Sequence, residues 1–371
     1  VMVKGEWRNA KQHVKLALNK YVTATGERRV ARSNEEHKDK KLGVALVGLG
    51  SYATGQLAPA LQQTKHCYLA GIVTGTPSKI PLWKDKYNIP GTNIYNYNNF
   101  DTIKDNPDID IVYVVLPNSM HAEYTIRAAQ AGKHVICEKP MALTVEDCDK
   151  MIAACKKTGK FLSIGYRLHF DPYHLDMMRM GTHKEYGEIK KIVTEFLQPS
   201  VKGEWRLDKK YSGGGPLMDL GIYCLQGVMY TTGREPVAVT AQTFPVSDKE
   251  KFTDIEETLD WQMEMSNGMI AECRTSYSGS ANTIRVEAEN GWFELNPAFY
   301  YAGLKGSAAD GKIISYAPLS QQAKQMDGIS LSIKNNQNSI VPGEMGRRDV
   351  KIIAAIYEAM RTGKRVSIET D

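Results

Sequence analysis

Leu42-Gly43-Val44-Ala45-Leu46-Val47-Gly48-Leu49-Gly50-Ser51-Tyr52-Ala53, running on to Leu57, Ala60 and Leu61, is the stretch that decides the fold. The apolar run Val44 to Val47 reads as a buried strand, the two glycines as a turn, and Leu57, Ala60 and Leu61 as one face of a helix. Strand, glycine turn and helix in that order make a dinucleotide-binding unit. Gly48 permits the tight turn, Gly50 lets the backbone approach a pyrophosphate, and Ala53 keeps the third position small enough for helix and strand to pack. Free N–H groups at the helix start then face a diphosphate.

Outward from this unit, strand and helix alternate. Tyr68 to Val73, Ile109 to Leu116, His134 to Cys137 and Phe161 to Tyr166 read as strands. Helices fall between them over Pro77 to Tyr87, Ser119 to Ala131, and from the Thr144 cap to Gly159. Regular alternation predicts a doubly wound parallel sheet with ligands at the carboxyl ends of its strands. After about residue 170 the rhythm changes: Glu188 to Leu197, Val237 to Phe244, Leu259 to Met265, Met269 to Ser276, Thr283 to Glu289 and Gly291 to Leu295 read as strands without intervening helices. Ser266-Asn267-Gly268 and Glu289-Asn290-Gly291 are hairpin signals. The expected architecture is α/β followed by α+β, with a large open, mainly antiparallel sheet whose face suits a sister subunit, as dimer or tetramer. A last helix, Arg348 to Arg361, carries Val350, Ile353, Ala354 and Tyr357 at helical spacing and packs back on the body. The boundaries expected are an arm at 1–41, a nucleotide domain at 42–167, a substrate and oligomerisation domain at 168–345 and the closing helix at 346–371. The arm is charged and proline-free, with one amphipathic piece near Val14 to Leu18; such an arm is disordered or docks on the core or a sister subunit.

At 371 residues the chain has room for two cores, and 42% apolar and 24% charged residues are those of a globular protein. The net charge of +5 carries no interleaved basic and aromatic stripe, so no nucleic-acid partner is expected. No apolar run approaches the ~20 residues of a membrane span. Six scattered cysteines lack C-x-x-C spacing and eight histidines lack ligand spacing, which points to buried thiols and no metal. The location expected is periplasmic if an export signal was removed and cytoplasmic otherwise.

The end of the second strand, Val73-Thr74-Gly75-Thr76-Pro77-Ser78-Lys79, holds no carboxylate for a ribose 2′-hydroxyl. Its hydroxyls and lysine suit a 2′-phosphate, which favours NADP over NAD; Thr76-Pro77-Ser78 also serves to start the next helix. Three stretches read as walls of one site. Leu116-Pro117-Asn118-Ser119-Met120-His121 follows an apolar strand where a cofactor would cross it, and Cys137-Glu138-Lys139-Pro140 ends another. A lysine before proline is held extended, which makes Lys139 a fixed cation. In Gly213-Gly214-Gly215-Pro216-Leu217-Met218-Asp219-Leu220-Gly221-Ile222-Tyr223, the Asp219 and Tyr223 side chains are four apart on one helical face. A tyrosine of pKa about 10 is a poor base unless an ammonium favours its phenolate, and Lys139 can supply one only if the two halves meet.

Together these residues resemble the glucose-fructose oxidoreductase family (Gfo/Idh/MocA type), over about residues 42–365. Tyr166-Arg167, Trp205-Arg206-Leu207 and the ending from Pro342-Gly343-Glu344 to Arg361-Thr362-Gly363 belong to the likeness. Much of the wider group carries His where this chain has Tyr223, whereas glucose-fructose oxidoreductase and dimeric dihydrodiol (xylose) dehydrogenase carry Tyr. The resemblance implies a Rossmann domain, an open-sheet partner domain, and sugar oxidation by hydride transfer to NADP. It also implies that Lys139 orients the substrate and tunes the acid/base, Asp219 holds a sugar hydroxyl and Tyr223 moves the proton. Gly48, Gly50, Ser51, Tyr52 and Ala53 would wrap the diphosphate, with Thr74 and Lys79 near the 2′-phosphate. Leu116, Asn118, His121, Glu138, Lys139, Arg167, Trp205 and Arg206 would border the nicotinamide and its ribose. The proline-rich arm of glucose-fructose oxidoreductase is not matched by the first 41 residues. Three readings follow: a coupled cycle in which a ketose or second aldose takes the hydride back, a simple aldose, xylose or dihydrodiol dehydrogenase that releases its cofactor, and a non-catalytic nucleotide sensor.

Overall fold

The computed structural model describes residues 40–369, so all but the end of the expected amino-terminal arm lies outside the described residues. The chain divides into units of residues 1–40 and 41–371, and the architecture below is that of the second.

The strand β1 (Leu42–Val47) is buried from Gly43 onward, as the middle of a sheet covered on both faces requires. It turns at Gly48 into the helix α1, a π-helical turn at Ala53–Leu57 continued by Ala58–Leu61. There follow β2 (Cys67–Val73), α2 (Ile80–Tyr87), β3 (Ile94–Tyr95), β4 (Ile111–Val114), α3 (His121–Gln130), β5 (His134–Cys137), α4 (Val145–Thr158) and β6 (Leu162–Ile164). Their order, β3-β2-β1-β4-β5-β6 with every pair parallel, is that of a Rossmann domain. Helix α4 starts where expected: Thr144 Oγ1 accepts from the Asp147 amide at 3.1 Å, and Gly159 ends the helix in the left-handed conformation. β4 is half as long as the apolar run from Ile109 to Leu116, because Leu116 already belongs to the turn into α3.

The second sheet has nine strands: β7 (Ile189–Leu197), β8 (Pro236–Thr243), β9 (Thr258–Met265), β10 (Ile270–Ser276), β11 (Ala281–Ala288), β12 (Gly291–Leu295), β13 (Gly306–Ala308), β14 (Ile313–Ile314) and β15 (Val366–Ser367). Their order is β14-β13-β12-β11-β7-β10-β9-β8-β15, antiparallel throughout except for the parallel pair β7 and β10. On β9, Leu259, Trp261, Met263 and Met265 point inward while Asp260, Gln262 and Glu264 point out, so one face is core and the other polar. Ion pairs line the polar face, among them Arg274 Nη2 to Asp260 Oδ2 at 2.6 Å and Lys191 Nζ to Glu272 Oε2 at 2.7 Å.

Helices not legible as sheet connections complete this half. α5 (Pro172–Thr182) precedes β7, and α6, a π-helical turn at Leu217–Gly221 continued by Ile222–Thr232, stands between β7 and β8. The expectation of strands without an intervening helix is therefore corrected: α6 is apolar nearly all round because it is buried between α5 and the sheet, and it lacks the one-sided period that marks a surface helix. α7 (Gln321–Lys334) was likewise not expected. The last helix, α8 (Gly343–Thr362), begins earlier than Arg348; Val350, Ile352, Ile353, Ile356 and Ala359 form its buried face, and Ala354 is exposed. It lies against α4, β6 and β8, and Ile164 N–H donates to Val341 O at 2.9 Å just before it.

Among the described residues no helix is long and apolar enough to cross a membrane, and no cluster of His, Cys, Asp and Glu could hold a metal. All six cysteines are buried and free.

Gly48 carries the strictest local demand, with φ at +96° and space so tight that an added Cβ would stand 2.4 Å from the Val115 carbonyl oxygen. We expect Gly48→Ala to lower the unfolding free energy by about 1–3 kcal/mol, read as a lower midpoint in urea denaturation.

Candidate active site

Five loops leave the carboxyl edge of the parallel sheet side by side: the glycine turn after β1, Thr74 after β2, Leu116 after β4, Glu138-Lys139 after β5 and Tyr166-Arg167 after β6. This is where an open α/β sheet binds its ligand. An added Cβ on Gly50 would meet nothing within 4 Å, so a ligand can approach the backbone there. The helix begins with Thr54 N–H on Gly50 O at 3.0 Å, which leaves the amides ahead of it without an intrahelical acceptor. At the end of β2, Thr74 Oγ1 accepts from the Thr76 amide at 3.1 Å, and Lys79 Nζ donates to Leu49 O at 2.7 Å, against the glycine turn itself. These groups fit an anionic dinucleotide: free amides, open backbone and an ammonium without a competing carboxylate.

The second wall comes from α6. Lys139 Nζ donates to the Asp219 carbonyl oxygen at 2.7 Å and to Asp219 Oδ1 at 3.1 Å. Arg206 Nε reaches Asp219 Oδ2 at 3.2 Å, and Tyr277 Oη donates to the same oxygen at 3.4 Å. Burial pushes the Asp219 carboxyl up, but Lys139 and Arg206 outweigh it and hold the pKa at about 2. Burial likewise works against the Lys139 ammonium, while Tyr223, Asp219 and Glu138 raise its pKa above the ordinary lysine value. The Lys139 ammonium stands 4.7 Å from the centre of the Tyr223 ring, and the Arg167 guanidinium 4.9 Å from it. Lys139, Asp219 and Tyr223, 84 residues apart in sequence at the extremes, thus meet in one cluster.

The remaining sequence candidates divide into wall and frame. Arg167 is only 2% exposed and packs between the Tyr223 and Tyr301 rings; its Nη atoms bond to Phe299 O and Gln321 Oε1, and its Nε has no partner. Trp205 and Arg206 share a short turn, the guanidinium 4.6 Å from the indole centre. Glu138 is buried, accepts from Tyr113 Oη at 2.6 Å, and has its pKa raised by burial. Asn118 Nδ2 donates to Ser212 O at 2.8 Å and so ties the parallel sheet to the loop that leads into α6. His121 is fully buried, with Nδ1 2.9 Å from Pro140 O and Nε2 2.9 Å from Leu116 O. Its ring thus bridges the loops that follow β4 and β5. The Lys139–Pro140 peptide is cis.

Sequence reasoning missed the residue that seats α6. Glu256 accepts from the Gly215 amide at 2.9 Å, from the Leu217 amide at 3.2 Å and from Tyr357 Oη at 2.9 Å. The glycine run serves this approach, since a Cβ at Gly214 would stand 2.0 Å from Tyr357 Oη and one at Gly215 2.3 Å from the Glu256 carbonyl oxygen. An acid just before a strand, at Ile255-Glu256-Glu257, gave no sign of capping a helix about 40 residues earlier.

Two family models match the chain, an oxidoreductase family with an NAD-binding Rossmann fold over residues 42–166 and the GFO/IDH/MocA C-terminal domain over residues 174–294. The chain belongs to the Gfo/Idh/MocA oxidoreductase family. Among solved structures, this family member is similar to the aldose-aldose oxidoreductase of Caulobacter crescentus, solved with glycerol: 41% identity, TM-score 0.85, covering 88% of this chain and 100% of that one. It is also similar to the D-xylose 1-dehydrogenase [NADP(+)] of Haloarcula marismortui, at 26% identity over 89% of this chain and 94% of the relative. The trans-1,2-dihydrobenzene-1,2-diol dehydrogenase of Xenopus laevis is 32% identical over 48% of this chain and 52% of its own. This oxidoreductase is therefore an NAD(P)-binding enzyme acting on CH–OH groups of sugars, and the sensor reading is set aside.

Because the folded pKa of Asp219 lies below its ordinary value, its pairing stabilises the fold above about pH 4 and is lost as pH falls toward about 2. We expect Asp219→Asn to be less stable than wild type at neutral pH, and the gap to close between about pH 4 and 2, measured by urea unfolding of both proteins across that range.

Proposed function

We propose that this enzyme is an NADP-dependent aldose oxidoreductase that oxidises an aldopyranose at C1 to a lactone and returns the hydride to a second aldose or a ketose in the same pocket. The observation that carries the reading is the meeting of Lys139, Asp219 and Tyr223 at the carboxyl edge of the parallel sheet. The Caulobacter relative, named for an aldose-aldose reaction, and the xylose relative, named for NADP, support the choice of sugar class and nucleotide.

Gly48, Gly50, Ser51, Tyr52 and Ala53 would hold the diphosphate of NADP, Thr74 and Lys79 its 2′-phosphate, and Arg167 the nicotinamide end. When bound, NADP supplies the hydride acceptor for C1. Tyr223 Oη, as a phenolate that the Lys139 ammonium beside its ring stabilises, takes the proton of the anomeric hydroxyl as hydride leaves C1, and so becomes the neutral phenol. Asp219 stays ionised at neutral pH and accepts from a sugar hydroxyl, with Lys139 and Arg206 fixing its two oxygens. In the return half Tyr223 gives the proton back, so one group serves both sugars.

The competing reading is a dehydrogenase that releases its cofactor at each turnover, as the name of the xylose relative suggests. Denaturing the purified enzyme and measuring released nucleotide separates them: one NADP per chain after desalting supports the coupled cycle, and an empty protein that turns over only with added NADP overturns it. Tyr223→Phe is expected to lower kcat by about 10²-fold or more while NADP still binds, followed at 340 nm with a panel of aldoses. Undiminished turnover would remove Tyr223 from the reaction.

The same proposal extends to assembly. The polar face of the nine-stranded sheet, with Arg285 3.7 Å over the Trp292 ring and paired to Glu287 and Glu294, suits a second copy of this chain. Light scattering of the purified protein is expected to give a dimer or tetramer, and Trp292→Glu to shift it toward monomer.

A further inference from the structure

The loop between β12 and β13 has a fixed base and a free tip. At the base, Asn282 Oδ1 accepts from the Ala298 amide at 2.8 Å and the Phe299 amide at 2.6 Å, and His174 Nε2 donates to Ala298 O at 2.8 Å. Phe299 is fully buried. The next residues emerge: Tyr301 is 43% exposed, and at Gly303, with φ at +76°, an added Cβ would meet nothing within 4 Å. A large aromatic ring therefore stands part-exposed, two residues from an open glycine turn.

This ring nevertheless has two partners, and both face the nucleotide groove. The Arg167 guanidinium lies 4.7 Å from its centre, and the Tyr52 ring 5.8 Å away at an interplanar angle of 33°. Tyr52 opens the helix two residues after Gly50, where the diphosphate site lies. Arg167 packs in turn on Tyr223, which faces Lys139. A continuous stack thus runs from the glycine turn to the proton-moving tyrosine, the same span that a dinucleotide must cover. Its outermost joint is the one between Tyr301 and Tyr52, where the loop of the second sheet meets the helix start after the glycine turn.

We propose that Tyr301 and Tyr52 form a clasp across the dinucleotide groove, a loop from the second sheet closing on the glycine turn, and that opening it limits nucleotide exchange. The inference rests on the NADP reading of the site.

The test is a chase: enzyme loaded with NADPH is mixed with excess NADP, and the loss of bound-nucleotide fluorescence gives the dissociation rate. Tyr301→Ala is expected to speed release about tenfold, ~1.4 kcal/mol on the barrier, the scale of one aromatic contact. Tyr301→Phe keeps the ring and should stay within about twofold of wild type. Tyr52→Leu combined with Tyr301→Ala should speed release by less than the product of the two single effects, because the contact between the rings is lost in both. Urea midpoints near that of wild type establish that the variants fold, as the exposure of Tyr301 leads one to expect.

A Tyr301→Ala rate within twofold of wild type overturns the clasp, and so does full additivity of the two substitutions. If wild type itself releases NADPH within a turnover, yet Tyr301→Ala is tenfold faster, the coupled cycle fails and the clasp stands. If both retain nucleotide equally, the clasp fails and the coupled cycle stands.

Discussion

Asp219 has a cation on each of its oxygens, and the rest of the site depends on that arrangement. Lys139 comes from the end of a parallel strand and Arg206 from the turn before α6, so the carboxylate fixes how far the parallel sheet stands from α6. A half-buried ion pair gains little by itself, because drawing both charges partly out of water offsets much of their attraction. Its value lies in geometry: Oδ1 and Oδ2 are both spoken for, Tyr277 adds a third donor, and Lys139 is left with one direction in which to face the Tyr223 ring.

That placement is secured from several sides. Glu256 closes the start of α6 with two accepted amides, and Tyr357 of the last helix holds Glu256 in turn. Gln321, Gln322 and Gln325, all on α7, reach Arg167, Gln56 and Tyr113 respectively, so one helix from the second half of the chain touches the turn after β6, helix α1 and strand β4 of the nucleotide half. Tyr113 passes that constraint to Glu138, next to Lys139. Two atoms of this chain, Arg167 Nε and Gln325 Oε1, are buried without a partner, so its hold comes from the bonds named and not from complete satisfaction.

The same economy appears in the chemistry. The proposed cycle needs a proton acceptor that becomes the donor without leaving its place, and Tyr223, set between an ammonium and a guanidinium, suits that need. In that proposal a carboxylate held ionised by two cations would accept a sugar hydroxyl in both halves. What separates a coupled cycle from two independent dehydrogenase reactions is then the lifetime of the bound nucleotide, which depends on the loops over the groove more than on the reacting groups.

The sequence by itself determined the local elements. A buried parallel strand must be continuously apolar, a turn at positive φ needs glycine, and a helix start takes a hydroxyl cap; Val44 to Val47, Gly48 and Thr144 wrote these demands into the chain, and Lys139, Asp219 and Tyr223 stood out as groups able to do chemistry. Helix α6 escaped as a connection because burial on all sides erases amphipathic period, and α8 was placed late because its first turns are buried by small residues such as Gly343 and Gly346. Only the tertiary structure decided that His121 bridges the carbonyls of Leu116 and Pro140, that Glu256 seats α6, and that Tyr301 reaches Tyr52. The reason is physical: strand and helix signals lie within a few residues of one another, whereas a side chain's partners are set by which segments the packed core brings together, and those lie up to hundreds of residues apart.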